Sequence, residues 1–230
     1  MSTRPRLALL NASYTEAATR RNFSRDLDAA LEEFHCPSGE LPGHLDYDGL
    51  VITGSSASVY WDRDWIAALK DWVRSAVDHG LPALGICYGH QLLADVTGGT
   101  VEDMGEYEIG YRTVHHDGDS ALLRGVPSSM TVFTTHSDRV ADPPPGSTIL
   151  ARNDYGIQGF RKGRVRGVQF HPEYDMDMAS QITKGKDDQL SAERIQRVLD
   201  GIHDTNYRAA RKAKRLFDNF CVLARAPQRA

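Results

Sequence analysis

Three short apolar runs, Leu7 to Leu10, Leu50 to Ile52 and Leu81 to Ile86, each give way to polar or glycine residues, and amphipathic stretches separate them. Runs this short and this uniformly apolar read as strands buried on both faces, the pattern of a parallel sheet covered by helices. Residues 16 to 33 read as one helix, with Ala18, Phe23, Leu27, Ala30, Leu31 and Phe34 giving an apolar side. Trp65, Ile66, Leu69, Trp72, Val73 and Val77 recur on one face of a second helix, which Gly80 stops. The tryptophans are expected to face the core, and Pro82 suits a strand start. The expectation is an α/β fold with an open, mostly parallel sheet flanked by helices.

The second half changes character. Tyr107 to Val114, Thr131 to Thr134, Thr148 to Arg152, Gly156 to Phe160 and Arg164 to Phe170 are closely spaced strand candidates, with Gly159 and Gly163 marking a turn between the last two. Asp142-Pro143-Pro144-Pro145-Gly146 must be a loop, because consecutive prolines remove backbone donors. A mixed or antiparallel extension of the sheet follows. From Ser191 the pattern is helical: Ile195, Val198, Leu199 and Ile202 form one face, Tyr207, Ala210, Leu216, Phe217 and Phe220 another, with a break near Gly201 and His203.

A chain of 230 residues can bury one sizeable core with a terminal elaboration. We divide it into a main domain, 1–180, and a C-terminal helical extension, 181–230, packed on it. The net charge of -4 hides an asymmetry: residues 181–230 hold eleven Lys or Arg against six Asp or Glu, so the rest carries -9. That surplus reads as the solvated face of docked helices, or part of a protein-partner surface, rather than as a nucleic-acid-binding arm. Cysteines at 36, 87 and 221 show no metal-ligand spacing and no disulfide framework, which suits a reducing cytoplasmic setting. The N-terminal apolar run is too short for a signal peptide, and no stretch approaches a membrane span.

The strongest chemical signal is Gly85-Ile86-Cys87-Tyr88-Gly89. A nucleophile between two glycines, at the end of a buried strand and the start of a helix, fits a tight strand-to-helix elbow. A helix N-terminus also favours a thiolate. A buried cysteine acting as a small apolar residue is the alternative. His171-Pro172-Glu173 follows the apolar Val168-Gln169-Phe170, so the imidazole would emerge at the strand ends near Cys87, with Glu173 orienting it. A solvated carboxylate at a strand-terminating turn is the competing reading. Thr53-Gly54-Ser55 would share the crevice at the sheet's carboxyl edge, where the Gly54 and Tyr88 N–H groups form a candidate oxyanion pair.

Together, Gly85-Ile86-Cys87-Tyr88-Gly89-His90-Gln91, the Gly54 loop, Thr135-His136-Ser137-Asp138-Arg139-Val140 and Gln169-Phe170-His171-Pro172-Glu173 resemble the class I glutamine amidotransferase family, most closely the glutaminase domain of GMP synthase and its stand-alone relatives. The resemblance covers roughly residues 45–175. It implies a flavodoxin-like fold, Cys87 as nucleophile, His171 as acid and base, Glu173 as its orienter, Gln91 as a glutamine contact, and the backbone around Ser137 and Asp138 as the holder of the substrate's α-amino and carboxylate ends. Two departures stand out. The oxyanion loop reads Gly54-Ser55-Ser56-Ala57-Ser58-Val59, where relatives usually have two glycines and a proline. No Ser-Gly-Gly-type phosphate loop of an ATP-pyrophosphatase follows residue 180, so ammonia is expected to pass to a separate synthetase subunit.

The implied chemistry is thioester formation from glutamine or a related γ-glutamyl amide, release of ammonia and hydrolysis, with no cofactor and no metal. A stand-alone γ-glutamyl hydrolase or peptidase and a catalytically silent binding module are the competing functions. Sequence leaves the ammonia acceptor and the oligomeric state open.

Overall fold

The computed structural model describes residues 4–117 and 120–226. Nine strands among them form one sheet in the order β2-β1-β3-β4-β9-β8-β7-β5-β6. The first five, β2 (Ala30–His35), β1 (Arg6–Asn11), β3 (Gly49–Ile52), β4 (Ala83–Ile86) and β9 (Val165–Val168), run parallel. Thereafter β8 (Gly156–Lys162), β7 (Thr148–Asn153), β5 (Thr100–His115) and β6 (Ser129–Asp142) continue antiparallel. Residues of β3, β4 and β9 are buried throughout, as central strands covered on both faces must be.

Helices α1 (Glu16–Asp26) and α2 (Asp64–Asp78) join parallel strands, and α3 (Tyr88–Val96) leads from β4 to β5. They sort the core into two apolar layers. Phe23 of α1 lies with Leu7, Leu9, Val51 and Leu84 on one face, whereas Ile66, Leu69 and Val73 of α2 lie with Ala8, Leu10, Leu50 and Ile52 on the other. Neighbouring residues of a strand thus serve opposite layers, the period-two consequence of the pleat. Trp72, half-buried, points its indole N–H at Pro42 O, 2.8 Å away.

The expected helix over 16–33 stops at Asp26, and residues 30–35 form edge strand β2 instead. Tertiary pairing overrides helix propensity here. Ala30 to His35 gain a full parallel ladder with β1, and the two glutamates meet cations or amides: Glu32 bonds Arg6, and Glu33 accepts from Asn11 and Arg20. Charged groups on an edge strand also discourage pairing with another chain. Gly159 lies inside β8 rather than in the expected turn, which Gly163 supplies at φ 57°. Strands β5 and β6 extend well beyond the predicted segments, so Thr135 to Val140 belongs to a strand.

The C-terminal part holds α4 (Met176–Lys184), α5 (Ala192–Asp200), α6 (Asp204–Ala210), a short 3-10 turn and α7 (Arg215–Arg225). Helix α4, absent from the sequence-based reading, straddles residue 180; Asp175 caps it by accepting from the Met178 N–H. Helix α5 sets Ile195 and Val198 against Tyr107, Tyr111 and Ile109, and α7 places Leu216, Phe217 and Phe220 fully buried beside Phe23 and Leu9. Residues 227–230 lie outside the described residues. No described helix is long and apolar enough to cross a membrane.

Phe217 meets Phe23 edge-to-face with ring centroids 6.0 Å apart. Phe217→Ala is expected to destabilise the fold by about 3–5 kcal/mol through lost burial and the cavity left behind, a loss that denaturant unfolding will measure.

Candidate active site

The carboxyl ends of β3, β4 and β9 meet in one crevice, the position at which open α/β sheets present ligand-binding groups. Cys87 occupies the junction of β4 and α3 and is the only non-glycine described residue with positive φ, at φ 51° and ψ -103°. That conformation costs roughly 1–3 kcal/mol and persists only where its surroundings enforce it. Its neighbours do so. A Cβ at Gly85 would lie 2.2 Å from Gly89 O, and one at Gly89 would lie 2.3 Å from Ile52 O, so only glycines allow α3 to start so close to β4 and β3. The Cys87 N–H donates to Val168 O at 2.9 Å, tying the elbow to β9.

His171 follows β9, its own N–H donating to Phe133 O at 2.9 Å. The ring is buried, stacks on Tyr174 with centroids 4.2 Å apart, and bonds through Nδ1 to Glu173 Oε1 at 2.8 Å. This fixes the ring and leaves Nε2 buried without a hydrogen-bond partner. Gly54 backs onto both reactive candidates: a Cβ there would stand 2.8 Å from His171 Cε1 and 3.7 Å from Cys87 Cβ. Burial alone would push the His171 pKa down, but the negative charges of Glu173 and Cys87 outweigh it and raise the value to about 10.

Thr135 to Asp138 on β6 form the facing wall. Thr135 O lies 3.8 Å from Cys87 Sγ, and Asp138, buried, accepts the Tyr60 hydroxyl at 2.9 Å. Gln91 lies on the inner face of α3; its Nε2 donates to Asp138 O at 2.9 Å and to Gln169 Oε1 at 3.1 Å, so its amide braces this wall. Asp138 O also accepts from His136 Nδ1 at 2.8 Å. On the ring's other side Nε2 meets fully buried Glu108, which further accepts from Asn153 at 2.6 Å and Gln158 at 3.1 Å. Gly54, Cys87, Gln91, Ser137, Asp138, His171 and Glu173 all line one cleft of about 320 Å³, and Tyr88 contributes the first backbone N–H of α3 next to the thiol. Among the described residues, no group of three or more His, Cys, Asp or Glu side chains is placed to hold a metal ion.

Several contributors escaped the sequence-based reading. Tyr174 stacks on the imidazole, and Arg25 of α1 donates to Glu173 O at 2.6 Å and to Asp175 at 2.7 Å, anchoring the segment that carries the dyad. Glu108 and its amide partners were hidden because their contacts join β5, β7 and β8 across long sequence separations. Tyr107, Ile182, Lys186 and Gln189 complete the cleft on the side of the C-terminal helices. The other thiols stand apart: burial pushes Cys36 up to about 12 and Cys221 up to about 11.

Residues 9–184 match the family model described as glutamine amidotransferase class-I. A GMP synthase (glutamine-hydrolyzing) of Thermomicrobium roseum is 38% identical over 131 residues, covering 56% of this chain and 24% of that protein. Gamma-glutamyl peptidase 5 of Arabidopsis thaliana is 32% identical over 160 residues, 65% of this chain and 64% of that one. The chain thus spans about a quarter of the first relative and about two thirds of the second. A glutamine amidotransferase structure from Thermotoga maritima superposes with a TM-score of 0.79 over 98% of this chain and 100% of that one at 22% identity, a likeness of fold.

The dyad has a titration signature. With its value raised to about 10, His171 stays protonated through neutral pH; its pairing stabilises the fold fully below the ordinary imidazole range, and this contribution is lost as pH rises through about 10. Glu173→Gln removes the carboxylate and leaves burial less opposed, so the imidazole is expected to titrate at a lower pH, as nitrogen-15 NMR of the ring will show.

Proposed function

Because the chain belongs to the class I glutamine amidotransferase family, we propose that it cleaves the side-chain amide of glutamine through a thioester on Cys87. The observation that carries this reading is the convergence of the Cys87 elbow and the His171–Glu173 pair on Gly54. Cys87 Sγ attacks the amide carbon as the thiolate, beside protonated His171, and the carbonyl electrons move onto oxygen, facing the Gly54 and Tyr88 N–H groups. His171 gives its proton to the departing nitrogen, the C–N bond breaks, and ammonia leaves a γ-glutamyl thioester. Water then attacks that carbon while His171 takes its proton; the C–S bond breaks, releasing glutamate and restoring the Cys87 thiolate beside protonated His171. Glu173 holds the ring and supports its positive charge.

Residues 181–226 work with 4–180 as one unit in this reading, since Phe217 and Phe220 share an apolar layer with Leu7 and Val51. The ammonia goes to a separate synthetase, the reading that the GMP synthase likeness supports. A γ-glutamyl peptidase is the second reading, favoured by one observation: the chain matches 64% of the Arabidopsis peptidase against 24% of the Thermomicrobium synthase.

Cys87→Ala is expected to abolish release of ammonia and glutamate from glutamine while leaving the folded yield unchanged. Coupled glutamate-dehydrogenase assay together with circular dichroism checks both, and normal turnover by the variant would overturn the assignment. A panel of γ-glutamyl peptides, with and without candidate synthetases, separates the two readings.

A further inference from the structure

The His171 imidazole lies face to face with a residue that the proposed chemistry does not use. The Tyr174 ring stacks on it with centroids 4.2 Å apart and planes 21° from parallel. A cation within about 6 Å of the centroid of an aromatic ring is attracted by the ring's quadrupole, an attraction that a neutral group at the same place does not share. Such a stack favours imidazolium over imidazole. The phenol brings no charge of its own: burial, with the negative charges of Glu173 and Cys87 nearby, pushes the Tyr174 hydroxyl well above its ordinary range, so it stays neutral and the ring acts through its face.

Tyr174 is itself braced from several sides. Arg25 holds the backbone before it and the side chain after it, donating to Glu173 O at 2.6 Å and to Asp175 at 2.7 Å. Asp175 in turn caps α4. The Phe133 ring packs against Tyr174 with centroids 5.9 Å apart, and Tyr111 meets Phe133 edge-to-face at 5.3 Å. Phe133 O also accepts the His171 N–H at 2.9 Å, so one residue of β6 locates both the backbone of His171 and the ring stacked on its side chain. Tyr174 joins the apolar layer of Ile109, Ala179 and Leu190, which Ile195 and Val198 of α5 complete. The imidazole is thus fixed at its edge by Glu173 and over its face by a ring anchored in the C-terminal helices.

We propose that Tyr174 is a positioning residue for the dyad, whose ring face holds the plane of the His171 imidazole and favours its protonated form. The inference rests on the amidase reading above and deepens it: the proton that His171 gives to the departing nitrogen is kept in place by a carboxylate at the ring's edge and an aromatic face across it. The charged and titratable groups around the imidazole are Glu173 and Cys87, Tyr107 beside Tyr174, and His136 and Asp138 on the β6 wall of the cleft. Arg25 bonds the Glu173 carbonyl, and Lys214 interacts with the Glu173 charge. A change confined to the Tyr174 ring leaves all of these in place.

A substitution series on the full chain tests this. Tyr174→Phe keeps the aromatic face, and phenylalanines with two and then five ring fluorines incorporated at the same position keep its shape while depleting its negative potential. The titration midpoint of His171 is read by nitrogen-15 NMR, with its signal assigned against His171→Gln. That midpoint is expected to hold in Tyr174→Phe and to fall stepwise with fluorination, by roughly half to one pH unit at the end of the series. A midpoint that stays constant across the series overturns the proposal, as does a full drop already in Tyr174→Phe, which would assign the effect to the hydroxyl. Tyr174→Leu, which removes the face but keeps apolar bulk, is expected to lower kcat for glutamine by about tenfold with KM near the wild-type value. A raised KM with unchanged kcat would make Tyr174 a substrate-contacting wall and overturn its positioning role. Wild-type protein that releases no ammonia from glutamine would sink the amidase reading, whereas the NMR series needs no turnover and decides the stack by itself.

Discussion

Everything at the candidate site depends on the contact between the start of α3 and the ends of β3 and β4. The separation there is so small that a single methyl group at Gly85 or Gly89 would collide with backbone atoms, which cannot swing aside as a side chain can. This packing holds Cys87 at positive φ, and the buried ladder from β3 through β4 to β9 keeps the strained residue from relaxing. The thiol is thereby presented at the open end of the sheet, where the apolar layer that holds Leu84 and Ile86 ends at the cleft.

The imidazole is held by a different strategy. Its position comes from β9 and from a backbone bond to β6, but its charge state comes from neighbours that offset its burial. A buried histidine without an anion would be neutral; His90, fully buried on α3 and pushed down to about 3 chiefly by desolvation, illustrates the contrast. Two histidines buried to a similar degree therefore hold their protons very differently. The difference lies in a carboxylate two residues along the chain from His171.

Strands β1, β3 and β4 were legible because each holds an uninterrupted apolar run, and the elbow because few chemistries need Gly-x-Cys-x-Gly after such a run; β9, which carries Arg166 and Gly167, was legible as a strand but not as a parallel one. Residues 27–35 were not, since Leu27, Ala30, Leu31 and Phe34 satisfy a helical spacing and the deciding partner, β1, lies far back in sequence. The wall of the cleft was half legible. Thr135 to Asp138 stood out by resemblance, yet nothing in the local pattern revealed that His136 leans on Glu108, or that Glu108 collects two amides from other strands. Helix α4 was missed because polar Asp175, Asp177, Ser180 and Gln181 dilute its apolar face, although Asp175 is a residue type that begins helices.

The charged groups behind the dyad show how the C-terminal helices bear on the site. Lys214 bonds Asp26 at 2.7 Å, Asp26 pairs with Arg25 at 2.9 Å, and Arg25 reaches both Asp175 and the Glu173 carbonyl. The chain of contacts runs from the turn before α7, through the end of α1, to the segment that orients His171. Partly buried ion pairs of this kind add little net stability, because desolvation offsets their attraction, but breaking one leaves an uncompensated charge. Their value is in geometry. Apolar burial of Leu216, Phe217 and Phe220 supplies the docking energy, which has no preferred direction, and the ion pairs supply the register that it lacks. The surplus of basic residues near the C-terminus is therefore not purely a solvated face: at Lys214 it fixes α1 and, through Arg25, the backbone of Glu173.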